Sequence, residues 1–237
     1  GGFVVSDWGG SNDHALGVKN GSHLEMPGTG NSGVHDIVKA VKNGDLTEEV
    51  LDQRLDELLS VIFDTHQATE EKKGTSFDIE AHHKLARKAA QESIVLLKNE
   101  DNILPLQPGT KVAVIGDFAQ TPRYQGAGSS LVNPAKQPEA VLNEIGNCGL
   151  EMVAFEQGYR RNKKSDAKLI ERAKEAAKKA EVVLIFAGLD EISESEGLDR
   201  THMNMPQAQN MLIDEISTVN PNVIVVLSAG SAVEMPW

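Results

Sequence analysis

Two stretches of this chain gather residue types that could break or make bonds. The first is Asp7-Trp8, which closes the short apolar run Gly2-Phe3-Val4-Val5-Ser6. In parallel α/β proteins ligands collect beyond the carboxyl ends of strands, where loops converge. A carboxylate there can attack an anomeric carbon, and a neighbouring indole can pack on the C–H face of a pyranose. The plainer reading is an Asp that caps the following loop, with Trp8 as core. The second stretch runs from Asp190 to Arg200, five carboxylates and one cation: Asp190, Glu191, Glu194, Glu196, Asp199 and Arg200. Crowded like charges raise one another's pKa, which is one way to keep a Glu protonated as a general acid. The plainer reading here is a solvated acidic loop.

Other patterns exclude chemistry. Tyr124-Gln125-Gly126-Ala127-Gly128-Ser129-Ser130 is glycine-rich. It lacks the third glycine of a dinucleotide fingerprint and does not follow its strand directly, and no Gly-Lys-Ser/Thr occurs anywhere. It reads as a surface loop near a substrate entrance. The seven histidines have no ligand spacing, and Cys148 has no second cysteine to form a CxxC pair. The acidic loop lacks EF-hand spacing. No metal and no cofactor are expected.

These residues need a scaffold, and the hydrophobic pattern supplies one. Short apolar runs at residues 2–8 and 22–26 read as parallel strands, with a helix from Asp13 to Lys19 between them. Thr47 followed by Glu48 and Glu49 reads as the capped start of a helix whose apolar face carries Val50, Leu51, Leu55, Leu58, Leu59 and Ile62. Residues 66–78 are polar and read as a connection, followed by a helix from His82 to Leu97. Beyond Lys111 strands are predicted at 111–115, 152–155, 182–186 and 223–227, with helices at 138–145, 165–180 and 207–219. Each strand is nearly continuous in Val, Ile, Leu and Phe, as expected when helices cover both faces of a parallel sheet.

The 237 residues carry a formal charge of −12, with 40% apolar and 24% charged residues. This mixture suits a globular protein, and the acidic balance argues against nucleic-acid or anionic-membrane partners, which demand a basic surface. No apolar run approaches the roughly 20 residues that span a bilayer. A single cysteine fits a reducing compartment, so a cytoplasmic location is expected. The chain opens Gly-Gly-Phe-Val-Val, inside what reads as a core strand, and is therefore expected to be a fragment whose N-terminal portion is missing.

Taken in order, several segments resemble glycoside hydrolase family 3 β-glucosidases. They are Gly2-Phe3-Val4-Val5-Ser6-Asp7-Trp8-Gly9, Leu24-Glu25-Met26-Pro27-Gly28, Glu92 to Asn99 with Ile103-Leu104-Pro105-Leu106, Gly126-Ala127-Gly128-Ser129-Ser130, Glu196-Gly197-Leu198-Asp199-Arg200 and Met235-Pro236-Trp237. The chain departs from the family at His23, where an Asp is common, and at Asn12-Asp13-His14, where His-Asp-Arg is common. The resemblance implies an α/β protein: a C-terminal remnant of a (β/α)8-like barrel over residues 1–66, a linker at 67–78, and a mostly parallel-sheet α/β sandwich over 79–237, truncated at its C-terminus.

The same resemblance assigns Asp7 as nucleophile and Glu196 as acid/base, with Glu194 in reserve and Trp8 under the sugar. Retaining hydrolysis needs two carboxyl groups roughly 5–5.5 Å apart, so residues distant in sequence would have to be united by domain packing. The implied substrate is a β-glucoside or short oligosaccharide. A β-xylosidase or other exo-glycosidase of the family is the nearest alternative. A nucleotide-binding α/β module and a non-catalytic carbohydrate-binding protein are alternatives of other classes. With most barrel strands missing, the 237-residue chain alone is expected to be inactive and its barrel remnant prone to association.

Overall fold

The computed structural model describes residues 2–74, 76–161 and 164–237. The chain divides into two compact units, one ending at Ile94 and the other spanning Val95–Trp237.

The first unit holds α1 (His14–Lys19), α2 (Asn31–Asn43), α3 (Glu48–Glu71) and α4 (Ile79–Ser93). The two strands expected at 2–8 and 22–26 shrink to one parallel bridge, Val5 to Leu24. It is held by Ser6 N–H to Leu24 O at 2.9 Å and Leu24 N–H to Val4 O at 3.2 Å. Two short strands with no further strand on either side cannot sustain a ladder, and Val4 and Val5 remain exposed.

α3 starts where the cap predicts, with Val50 N–H donating to the Thr47 hydroxyl. It continues through Glu71, so the polar residues 67–71 are solvated helix, tied by Thr69 Oγ to Thr65 O and Gln67 Nε2 to Glu71. Thr75, within the expected linker, lies outside the described residues. α4 begins earlier than expected because Asp78 caps it, accepting from Ala81 N–H at 3.0 Å. It also ends earlier. Ile94, β-branched and followed by β-branched Val95, is already extended, and residues 94–97 expose four consecutive apolar side chains.

The second unit is a parallel four-stranded sheet in the order β2-β1-β3-β4, formed by β1 (Lys111–Ile115), β2 (Glu151–Glu156), β3 (Val182–Gly188) and β4 (Val223–Ser228). The helices are α5 (Asp117–Gln120), α6 (Val141–Glu144), α7 (Ala167–Ala177) and α8 (Gln207–Ser217). Side chains alternate across each strand. Ile115, Val183 and Ile185 pack with Ile170 and Ala173 of α7 and with Leu212 and Ile216 of α8. Val112, Val114, Val182 and Leu184 form a second cluster with Ala119 and Ile145. The central strands β1 and β3 are therefore almost wholly buried and the edge strands only partly. This covering on both faces accounts for the unbroken apolar runs in the sequence.

Buried polar groups seal the helix and strand ends. Asn220 donates to the carbonyls of Ala177 and Ala180, each at 3.0 Å, and Gln209 Oε1 accepts from Gly188 N–H at 2.8 Å. Tyr159 is buried and donates its hydroxyl to Phe186 O at 2.8 Å. The chain is thus α/β, as expected, and its second unit is the parallel sheet read from the sequence. Among the described residues no helix is long and apolar enough to cross a membrane.

Candidate functional site

Asp7 lies just past the bridged Val5, on the carboxyl side of the Val5–Leu24 pairing. Its neighbour Ser6 staples the two segments together, accepting Met26 N–H at 2.9 Å and donating to Met26 O. The Asp7 carboxylate is exposed and accepts Trp8 N–H at 2.7 Å. The Trp8 indole is 67% exposed, so it is not core and its faces are open. The structure places Asp7 and Trp8 together at one loop of the first unit, as adjacency requires.

His14 and His23, the positions where the chain departs from the pattern it resembles, are each partly buried and bonded to acidic side chains. His23 Nδ1 accepts Val4 N–H at 3.0 Å, so its Nε2 carries the hydrogen donated to Glu57 at 2.6 Å. That bond keeps the Glu57 carboxyl below its ordinary range, with Gln53 and Arg54 adding to it against desolvation. His14 sits between Asp36 at 3.0 Å and Glu25 at 3.1 Å, with Thr29 also in reach, and its side chain is only 13% exposed. The hydrogen bond to Asp36 raises its pKa, opposed by desolvation and reinforced by Glu25.

A raised folded-state pKa stabilises the fold fully below the unfolded value, ordinarily 6.5, and that stabilisation is lost as pH climbs through the higher folded value. The first unit should therefore melt at a lower temperature at pH 8 than at pH 6, and His14→Gln should flatten that slope. A scanning-fluorescence pH series on both chains checks it.

The acidic loop between β3 and α8 belongs to the second unit, and at Glu194 and Glu196 the expectation of a raised pKa fails. Each of four carboxylates has its own donor. Asp190 accepts Ser193 N–H at 2.7 Å, and Glu191 meets Arg161 at 2.8 Å. Arg161 also pairs with Asp117 at 2.5 Å and stacks over Phe118, its carbon 4.8 Å from the ring centroid. Glu194 meets Arg123 at 2.6 Å, and Glu196 accepts Ser129 N–H at 2.5 Å. Burial works to raise the Glu194 carboxyl, but Gly230 N–H, the Ser231 hydroxyl and Arg123 outweigh it and hold it below its ordinary value. Hydrogen bonds from the Ser129 side chain and backbone lower Glu196 likewise.

Glu196 and Glu194 differ sharply in access. Glu196 is exposed at the rim of an open depression of about 550 Å³ lined by Ser129, Ser130, Leu198 and Arg200 among others. Glu194 also lines the depression, but its side chain is only 10% exposed. The glycine-rich segment lies directly against this loop: Ala127 bridges Ser195, and Glu196 N–H donates to Ala127 O at 3.0 Å. A Cβ on Gly128 (φ +107°) would come within 2.5 Å of Glu196 Cβ, so the glycine is there for close approach. A phosphate cradle does not fit. β1 leads into the four-residue α5 with Asp117 at its start, and Gly128 faces the Glu196 carboxylate while Gly126 faces the Glu194 carbonyl, so both meet acceptors.

Sequence reasoning missed Arg123, Ser129, Arg161 and Ser231 as members of this site. Ser129 stood in a segment already singled out, but the three others carry no local signal. Arg200, counted as the loop's one cation, spends its guanidinium on Ser231 Oγ and the carbonyls of Ala232 and His202.

Known proteins resemble this chain. The family description "Glycosyl hydrolase family 3 C-terminal domain" matches residues 94–237. The thermostable β-glucosidase B of Acetivibrio thermocellus is 47% identical over all of this chain, which corresponds to 31% of that protein. The exo-α-(1→6)-L-arabinopyranosidase of Bifidobacterium breve is 40% identical, again over all of this chain and 32% of that one. The crystal structure of a Bifidobacterium adolescentis GH3 β-glucosidase superposes with a TM-score of 0.87 at 40% identity, covering 98% of this chain and 34% of that one. The chain thus spans about a third of the length of these relatives.

Proposed function

This chain belongs to glycosyl hydrolase family 3, and we propose that it supplies the nucleophile and the acid/base of a retaining β-glucosidase acting on terminal β-D-glucosyl residues. Asp7 attacks the anomeric carbon and forms a covalent glycosyl-enzyme, while Glu196 protonates the departing oxygen and then deprotonates the incoming water. Trp8 offers its open indole face to the sugar. The observation that carries this reading is the exposed Glu196 carboxylate, held by Ser129 at the rim of the depression. Hydrogen bonds from Ser129 hold that carboxyl below its ordinary pKa, which favours the ionised form that the second step needs. A sugar that displaces water from it raises its pKa by desolvation and prepares the first.

The test is a chimera in which this chain replaces the matching third of the Acetivibrio thermocellus enzyme. Proton NMR of early product should show β-glucose, and a 2-fluoro glucoside should add its glycosyl mass to the peptide carrying Asp7. The α-anomer, or a label on another residue, would sink the assignment. The 237-residue chain by itself should leave an aryl β-glucoside unhydrolysed, and turnover at the chimera's rate would contradict that. A pentoside specificity is favoured by the arabinopyranosidase relative. Aryl α-L-arabinopyranoside and β-xyloside, run beside the glucoside, decide it by the larger kcat/KM.

A further inference from the structure

We propose that Glu194 and Arg123 form a positioning clasp that sets Glu196 against Ser129, an inference that rests on the acid/base reading of Glu196. The loop from Leu189 to Met205 contains no regular helix or strand, so something other than secondary structure must fix its path. Glu194 ties it to two segments far away in sequence. Its Oε2 meets Arg123 Nη2 at 2.6 Å, both of its oxygens lie 2.9 Å from Gly230 N–H, and Oε1 accepts the Ser231 hydroxyl at 2.7 Å. The two charged side chains are 10% and 9% exposed.

The packing around Glu194 leaves it little freedom. A Cβ on Gly126 would lie 2.8 Å from Glu194 O, and one on Gly230 would lie 3.3 Å from the carboxylate. Immediately beyond the clasp come the Ala127–Ser195 bridge and the Glu196 N–H bond to Ala127 O, and then the Glu196 carboxylate reaches Ser129 N–H. The order along the chain is thus anchor, bridge, reacting group.

A largely buried ion pair adds little net stability, because desolvation offsets the attraction, whereas losing one partner strands the other charge. Placement is what this pair contributes. Its crowd of donors also removes Glu194 from proton transfer: a carboxylate accepting hydrogen bonds from Arg123, Gly230 and Ser231 holds its charge and gives no proton to a substrate. Glu194 is therefore a positioning residue and not a second acid/base.

The experiment is NMR on the 237-residue chain, following the Ser129 amide and the ¹³C-labelled Glu196 carboxyl through a pH titration. In the parent the Ser129 amide should move with Glu196, at a midpoint below the ordinary glutamate value. Glu194→Gln should uncouple the two and return the Glu196 midpoint to that ordinary value, with the sheet amides of Val114 and Ile185 unmoved. Arg123→Lys, which keeps the charge, should retain the coupling. If Glu194→Gln fails to fold, Ser231→Ala removes one donor only and should still shift the Glu196 midpoint upward.

Unchanged Ser129–Glu196 coupling in a folded Glu194→Gln chain, or an unchanged Glu196 midpoint in Ser231→Ala, overturns the clasp, as does absence of coupling in the parent. In the chimera, Glu194→Gln should lower kcat on poorly leaving aglycones at least tenfold with KM within twofold. A change in KM alone counts against positioning. Azide rescue of Glu196→Ala reports on the acid/base reading separately, so either idea can fail without the other.

Discussion

Glu196→Ala, made in the chimera, should divide substrates by the acidity of their leaving groups. General acid catalysis typically contributes about 10²–10⁴-fold. Alkyl and glycosyl aglycones need that proton, so their kcat/KM should fall by that order. A dinitrophenyl aglycone leaves as a stabilised anion and needs none, so its kcat/KM should stay within about tenfold of the parent. Its kcat should nevertheless drop, because the glycosyl-enzyme on Asp7 then awaits water without a base. Azide requires no deprotonation and should restore kcat, yielding β-glucosyl azide. The same salt should do nothing for Glu194→Ala, whose carboxylate is enclosed by Arg123, Gly230 and Ser231. Equal losses of kcat/KM on both substrate types would remove Glu196 from the role.

The contrast between the two glutamates was not legible before the structure, and the reason is physical. In sequence, Glu194 and Glu196 sit in one acidic run, and the nearest cation is Arg200. In the folded second unit Arg200 serves Ser231 and two carbonyls, while the cations that neutralise the run arrive from Arg123 and Arg161, in connections far along the chain. Composition reports how many charges a loop has and is silent about which distant donor meets each one. The strands were easier. Val112 to Ile115 and Val182 to Ile185 are apolar without a break because helices lie over both faces, and burial of that kind writes itself directly into residue type. The first unit failed the same reading for the opposite reason. Val4 and Val5 look like strand residues, yet a strand exists only where a neighbour accepts its hydrogen bonds, and Leu24 is bridged at one point alone. Polar residues 67–71 misled through composition, since a helix as long as α3 can run on in solvent with its hydroxyls bonded to its own carbonyls.

Gly188→Ala should markedly destabilise the second unit by forcing β3 and β4 apart. Gly188 ends β3 at φ +142°, where a side chain is strained whatever the space, and an added Cβ would lie 1.9 Å from Ser228 O and 2.9 Å from Ser228 N. Those atoms are β4 backbone and cannot swing aside. The two strands would have to part at Gly188–Ser228, loosening Leu189 N–H from Ser228 O and Gly188 N–H from the buried Gln209 Oε1. Strain and a stranded buried acceptor together place the cost at about 3–5 kcal/mol. For a chain of this size that is a fall in Tm of roughly 6–20 °C, to be read by calorimetry. Gly128→Ala provides the internal control. Its Cβ would collide with the Cβ of Glu196, so the exposed loop carrying Glu196 must shift, but none of the atoms it meets belongs to the sheet. Sheet stability should then stay within about 1 kcal/mol of the parent, apart from the left-handed backbone penalty at φ +107°, while the Ser129–Glu196 coupling disappears. A Gly128→Ala chain that melts as early as Gly188→Ala would mean that the glycine-rich loop is part of the sheet's foundation. Early melting by Gly188→Ala alone places that foundation at the β3–β4 junction, from which the loop to Glu196 departs.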